Sequence, residues 1–504
     1  MQKSALDTWA FLENMLQQNP QFGLQKQKNR DIIGLAGSGS GDADAKNFFS
    51  EGLNMTELKF DFLNTSGKIK VLNAVNNGPA GSKVRGTGNF AAYEALEIPY
   101  ARNHDAAFYS GYGGEHTVDV HRIFKNFDAD ETDPANYIFD STDTYIANTE
   151  AVGTKTFYRL GAAIEHGYKQ GTYPPKDFHK WARICEHIIR HYTEGWADGF
   201  HYDIEYWEIW NEPDCRNPDG TSPCWQGTYE QFIDFYEIAA KHLKSKFPHL
   251  KIGGPAFTCS WKNWATVPFL AAVKERNIPL DFYSFHGYLS DPISVKDLSD
   301  SAMLTLRESG ILEERGKPEL IYNEWNYVRA WVGEQYKYSR KMSKRIKGAS
   351  VIAGCMCMAQ DSDIDMLMYY DARPGAWCGL FDTDTLDPLK PYYTFYMVKE
   401  LPRLGTWVKA DVKVGSIYSC AATDGKDGAV MITHFHDNDN TPTEPIKVNF
   451  ENVKSESGIR VEYYLLDDDH DAKLVREEIF TAENFAVHLD MKLYDTYLIK
   501  LIAL

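Results

Sequence analysis

Two glutamates, Glu212 and Glu324, stand in settings that suit paired-carboxylate chemistry. Glu212 belongs to Tyr206-Trp207-Glu208-Ile209-Trp210-Asn211-Glu212-Pro213-Asp214, a run that is bulky on both faces and stops at Asn-Glu-Pro. Such a run reads as a short buried strand. Proline cannot continue a central strand, so Glu212 falls where strand becomes loop. Glu324 ends a second run of this kind, Leu320-Ile321-Tyr322-Asn323-Glu324-Trp325-Asn326. An Asn-Glu-Pro tripeptide alone proves little: it arises by chance in about one chain in twenty of this length, and a helix-capping acid looks the same. The second strand-end glutamate gives it weight. Hydrolysis of a glycosidic bond takes one carboxylic acid to protonate the leaving oxygen and one carboxylate on the other face of the sugar.

Further polar residues gather at neighbouring strand ends. Asn211 is suited to hold a sugar 2-hydroxyl, whose contacts tighten in the transition state. His286 and Tyr288 end the strand Phe282–Tyr288, and either is placed to donate a hydrogen bond to the nucleophile and keep it ionised. A lone histidine is more often a satisfied polar residue; its position between the two glutamates reverses that weighting. Arg102, on the strand Ile98–Asp105, is placed to hold Glu324 ionised, against the alternative of a surface ion pair worth little. His104 and His121 are candidate sugar contacts. Trp325 is expected to wall the sugar, with the core as its alternative place.

These residues need a scaffold that brings strand ends together. From Ile69–Val75 onward the chain alternates strand and helix: strands at 98–105, 156–160, 206–212, 251–255, 282–288, 320–326 and 350–359, with helices at 140–149, 178–193, 229–247, 269–276, 303–314 and 336–347. About eight such units in roughly 340 residues predict a (β/α)8 TIM barrel, with catalytic groups at the carboxyl ends of the strands. No Gly-rich phosphate turn follows the first strand, so a doubly wound sheet is disfavoured. Glu212 and Glu324 then end strands four and seven. After Gly405 short alternating runs separated by Asp, Asn and Gly turns predict a β-sandwich. The expected organisation is an N-terminal segment over 1–65 that partly joins the sandwich, a barrel over 66–404 and the sandwich over 405–504. Leu6–Gln18 suggests a helix and Gly34–Asp44 a loop.

Composition limits the partners. The 504 residues are 43% hydrophobic and 25% charged, as in soluble globular proteins. A net charge of −18 argues against nucleic acid or an anionic membrane. No apolar stretch is long enough to span a bilayer, and Asp7 and Glu13 interrupt the first apolar run, unlike a signal peptide. The expected location is cytoplasmic, or secreted or periplasmic if a leader has been removed. The eight cysteines show no CxxC pair; Cys355 and Cys357 read as buried thiols, and Cys215 and Cys224, although they flank one loop, as free thiols. Asp361-Ser362-Asp363-Ile364-Asp365 lacks the glycine and distal glutamate of a calcium loop, and no HExxH occurs, so a metallohydrolase is disfavoured and no metal or cofactor is expected. A non-catalytic carbohydrate-binding protein would have no need of two such glutamates.

The motifs Trp-Glu-Ile-Trp-Asn-Glu-Pro, Ser284-Phe285-His286-Gly287-Tyr288 and Asn323-Glu324-Trp325-Asn326 resemble those of glycoside hydrolase clan A, most of all family 39, the β-xylosidase-like group. The resemblance covers about residues 70–504 in architecture and is specific near the strand ends. It implies a retaining mechanism with Glu212 as acid/base and Glu324 as nucleophile, no cofactor, and an oligosaccharide or polysaccharide substrate. The implied enzyme is an exo-acting β-xylosidase-like one, with an endo-acting glycanase of the same clan as the alternative. Homo-oligomerisation stays open. Departures from the family pattern are Pro213-Asp214-Cys215 after the acid and the absence of a tryptophan in Met358-Ala359-Gln360-Asp361. The loops around Tyr109–Glu115 and Asn217–Gln226 are individual, which leaves the sugar undecided.

Overall fold

The computed structural model describes residues 55–82, 86–105, 116–165, 169–217, 219–375 and 379–504. The expected helix at Leu6–Gln18 and the loops at Gly34–Asp44 and Tyr109–Glu115 lie outside them. Eight strands close a parallel barrel in chain order: Ala74–Asn76, Tyr100–Arg102, Lys155–Leu160, Tyr206–Ile209, Lys251–Phe257, Phe282–His286, Glu319–Trp325 and Met366–Tyr369. Their inward side chains change character along the axis. Ala74, Phe157, Tyr206, Phe282 and Ile321 form an apolar layer with Met366 and Met368. Two residues further along the same strands come Asn76, Arg159, Glu208, Ser284 and Asn323, joined by Arg102, all buried. The period-two alternation of a strand thus turns an apolar plug into a polar floor within one step.

The helices outside the barrel carry their own start signals. Asp177 accepts from the Lys180 amide at the head of Phe178–Thr193, and Thr228 forms a capping box with Gln231 ahead of Tyr229–Lys246. Both helices pack apolar faces on the strands, with Trp181, Phe232 and Phe235 in the main core.

The C-terminal strands form two facing sheets. The larger includes Ile417–Thr423, Gly428–His434, Ile459–Leu466 and Thr496–Ala503; the smaller has Glu444–Glu451 between Thr56–Asp61 and Phe485–Met491. Leu58, Phe60, Val430, Val448, Val461 and Ile499 share the core between them, which makes a sandwich. The strand Thr65–Lys68 edges the larger sheet through Thr406–Val408. The fold is the predicted barrel followed by a β-sandwich.

Four local expectations change. Ser350–Ala359 lies in a helix, Ile346–Gln360, every residue of which is buried. The eighth barrel strand is Met366–Tyr369, so Met358–Asp361 says nothing about that strand's end. An apolar run covered on all sides has no periodicity by which strand and helix can be told apart. The helix expected at 336–347 is two, Gly333–Met342 and the start of Ile346–Gln360. Only Ala74–Asn76 of the first predicted strand pairs. Among the described residues no helix is long and apolar enough to cross a membrane. Seven described cysteines, Cys215 and Cys224 among them, are buried free thiols.

Candidate active site

The polar floor is a hydrogen-bonded hub. Glu208 Oε2 accepts from Arg102 Nε at 2.7 Å, and its Oε1 accepts from Ser284 Oγ and Asn323 Nδ2, each at 2.6 Å. Arg102 donates onward to Asn76 Oδ1 at 3.1 Å, Asn211 Oδ1 at 2.6 Å and Glu324 Oε1 at 2.9 Å. A buried guanidinium between two carboxylates, with its nitrogens bonded, is fixed in orientation as well as in charge. Asn211 spends its carbonyl on Arg102, which leaves its NH2 to donate.

Glu324 reaches this hub because of an irregularity. The pairing register of strand seven shifts against both neighbours, between Phe285 and His286 on one side and between Tyr322 and Trp325 on the other. Strict alternation would send Asn323 and Trp325 inward and Glu324 outward; the bulge turns both Asn323 and Glu324 toward the axis. Trp325 consequently faces out. It is fully buried, with its ring 5.5 Å from that of Tyr369 in the main core, so it does not wall the site. Trp331 lies nearer the mouth, partly exposed and edge-on to Tyr288 at 4.7 Å. Only tertiary packing distinguishes these two tryptophans.

Glu212 is held in an unusual backbone. Trp210, Glu212 and Ala256 have φ of 77°, 47° and 58°, left-handed values that cost non-glycine residues strain and cluster at functional sites. The Glu212 amide donates to the Ala256 carbonyl at 2.9 Å. Trp210 Nε1 donates to the Cys224 carbonyl at 2.9 Å and its ring packs among Trp181, Trp225 and Phe235.

The two carboxylates meet at His286. Its Nδ1 lies 2.8 Å from Glu212 Oε1 and 3.5 Å from Glu324 Oε2. One oxygen from each glutamate and a His286 nitrogen all lie within 4.8 Å of one another. Tyr288 donates to Glu324 Oε2 at 3.0 Å, and His104 Nε2 stands 3.6 Å from Glu324 Oε1. Of the two residues expected to serve Glu324, Tyr288 does so directly and His286 serves Glu212 first.

Burial pushes Glu212 up to about 7, with Arg102 opposing and Asp105 reinforcing the shift. Burial also raises Glu324, against the pull of His286 and Arg102. Burial lowers His286 to about 4, so it is neutral near pH 7 and its Nδ1 can donate to an ionised Glu212 or accept from a protonated one. The neighbouring Asp214 is pushed by burial up to about 7 while it accepts from Thr258.

Asp105, absent from the sequence reading, completes the wall at strand two. It accepts from Tyr370 Oη and lies 3.8 Å from both His104 and His116. Its burial is outweighed by His104, Arg373 and His116, which hold it below the usual carboxylate range. Glu208 was also missed, although a glutamate two residues past an inward tyrosine is the available signal. His121 stands apart from the pair, 3.4 Å from Glu165.

Residues 113–317 match the family model for glycosyl hydrolases family 39, a segment that includes Glu212 and His286 and stops short of Glu324. The chain is 30% identical over 180 residues to a β-xylosidase of Geobacillus stearothermophilus, a match covering 33% of this chain and 34% of that protein. It thus spans about a third of the length of this curated relative. A glucosidase from Croceicoccus marinus shares the fold with a TM-score of 0.72 at 20% identity, over 89% of this chain and 99% of that one. The family 39 enzyme from Xanthomonas axonopodis pv. citri does so with a TM-score of 0.66 at 14% identity, over 91% and 100%. The resemblance to family 39 read from the strand-end motifs is borne out.

Proposed function

We propose that this chain is a retaining glycoside hydrolase in which Glu212 is the acid/base and Glu324 the nucleophile. The observation that carries the reading is the short gap between the carboxylates, whose nearest oxygens lie within 4.8 Å. Retaining enzymes keep their carboxyl groups about 5–5.5 Å apart, whereas inverting ones leave about 6.5–9.5 Å for a water between them. The environments divide the roles. Glu324 receives Arg102 and Tyr288 on its two oxygens, which favours a carboxylate ready to attack. Among the described residues Glu212 is bonded to the neutral His286 rather than to a cation, and it is pushed up to about 7, which favours a proton held for the leaving oxygen.

In the first step Glu324 attacks the anomeric carbon while Glu212 gives its proton to the departing oxygen. In the second, Glu212 takes a proton from water, which displaces Glu324 and restores the acid. His286 is suited to both halves, because its Nδ1 can face either protonation state of Glu212. The similarity to a β-xylosidase favours an exo-acting enzyme with xylose at the reacting position.

The test is a panel of nitrophenyl glycosides beside polysaccharides, with Glu324→Ala as the blank. Release of one nitrophenyl sugar, reduced by at least about 10³-fold in the variant, supports the assignment and identifies the sugar. Cleavage of a polysaccharide with silence on all small glycosides points to endo action. Silence on everything favours a carbohydrate-binding protein. Activity is expected to survive EDTA; its loss would favour the metallohydrolase alternative.

A further inference from the structure

We propose that the loop after Glu212 forms the leaving-group side of the site and selects a departing sugar that carries an anionic substituent, with Arg216 as the selecting residue. This rests on the glycoside hydrolase reading above. A general acid must touch the glycosidic oxygen, so the departing group lies against the chain that follows Glu212. A pocket opens there, walled by Pro213, Arg216, Ser222, Gln226, Tyr229 and Trp264.

Its wall has the two elements that sugar recognition uses. Trp264 is 39% exposed, large for a tryptophan, and Tyr229 packs edge-on to it with ring centroids 4.9 Å apart. The Arg216 guanidinium lies over the Trp264 ring, 3.7 Å from its centroid. A guanidinium stacked in this way keeps its N–H groups in the plane, where they form a fork for a carboxylate or sulfate. Arg216 is exposed, and among the described residues it is held by the Trp264 ring rather than by a carboxylate. The chain as a whole carries a net charge of −18, which repels anions, so an anion entering this pocket needs a local cation such as Arg216 in its wall. A neutral sugar would need only the ring; the free fork adds a preference for charge.

The experiment uses the full chain and three aryl glycosides of its preferred sugar, with 4-carboxyphenyl, 4-sulfophenyl and 4-carbamoylphenyl leaving groups. Arg216→Gln is expected to lower kcat/KM by about 5-fold on the charged aglycones, mainly through KM, and by less than about 2-fold on the neutral one. Comparison within each substrate cancels leaving-group acidity. A larger loss with carboxylate than with sulfonate identifies the planar group as the better fit, and Arg216→Lys should restore part of the charge preference. Equal losses on charged and neutral aglycones, or none, would overturn the proposal. A second measurement does not depend on turnover: tryptophan fluorescence titrated with methyl glucuronide and methyl glucoside. The wild type should bind the glucuronide more tightly and Arg216→Gln should lose that difference. Equal binding in the wild type also overturns the proposal. A chain that cleaves no glycoside but prefers the glucuronide would sink the hydrolase reading while leaving Arg216 as an anion contact.

Discussion

Glu212 carries the sharpest consequences of its surroundings. Its carboxyl is pushed up to about 7, far from an ordinary glutamate. If it is the general acid, kcat/KM must fall as pH rises through about 7, because the proton to be donated is lost. Glu212→Gln should lose that alkaline limb, retain turnover only on substrates with good leaving groups, and recover with added azide. A variant that keeps the limb near 7 assigns it to another group. Stability follows with a definite sign. A carboxyl raised on folding stabilises the folded state below its ordinary pKa, and that stability is lost as pH climbs through the folded value. Glu212→Gln should therefore be more stable than the wild type at pH 8, by about 2 kcal/mol, and little different at pH 4. Thermal unfolding at the two pH values checks it; equal Tm shifts at both would show that packing, rather than ionisation, sets the difference.

The strands aim these groups by small departures from regularity. Gly161 lets the third strand approach Trp210, and a Cβ built there would lie 2.7 Å from the indole at a φ of +117°. Gly161→Ala must displace Trp210, two residues before Glu212, so it should lower kcat by about tenfold or more. Circular dichroism would show the fold retained; unchanged kinetics would mean that Trp210 does not hold the acid in place. The same geometry explains what the sequence disclosed. The ends of strands four and seven were legible because Pro213 and the Asn-Glu-Trp triplet mark them locally. Arg102 was legible as a cation on a short strand that ends in polar groups. Trp325 was misplaced because a register shift, set by pairing with two other strands, reverses its face. Glu208 and Asp105 escaped because their partners come from strands and loops far along the chain. The helix Ile346–Gln360 was read as a strand because it is buried all round, and a tightly covered helix loses the polar stripe that would reveal its period.

That helix joins the two parts of the molecule. Ser350 Oγ lies 2.8 Å from Thr433 Oγ1, and Cys357 Sγ is 3.4 Å from Cys420 Sγ, both in the sandwich. At its first turn Lys347, 1% exposed, donates to the Asp437 carbonyl at 2.7 Å and to Asp439 at 2.8 Å, with Tyr338 and Tyr494 around it. Lys347→Ala would remove the buried cation these acceptors share, but Arg329 still donates to Asp437, and Tyr338 and Tyr494 to Asp439, which limits the loss to about 2 kcal/mol. Chemical unfolding measures it. Removal of the sandwich after Gly405 should leave the barrel insoluble, since it strips the cover from an apolar helix; a soluble, active barrel would show that the sandwich is dispensable. The sandwich also takes a strand from the other end of the chain: Glu57 lies beside Lys447, 390 residues later. During synthesis at about 5–20 residues per second, the Thr56–Asp61 strand therefore waits roughly 20–80 s for its partner to be made. Throughout that interval the ribosome displays an unpaired β-edge while the whole barrel forms behind it, so the first described strand is among the last to reach its native neighbours.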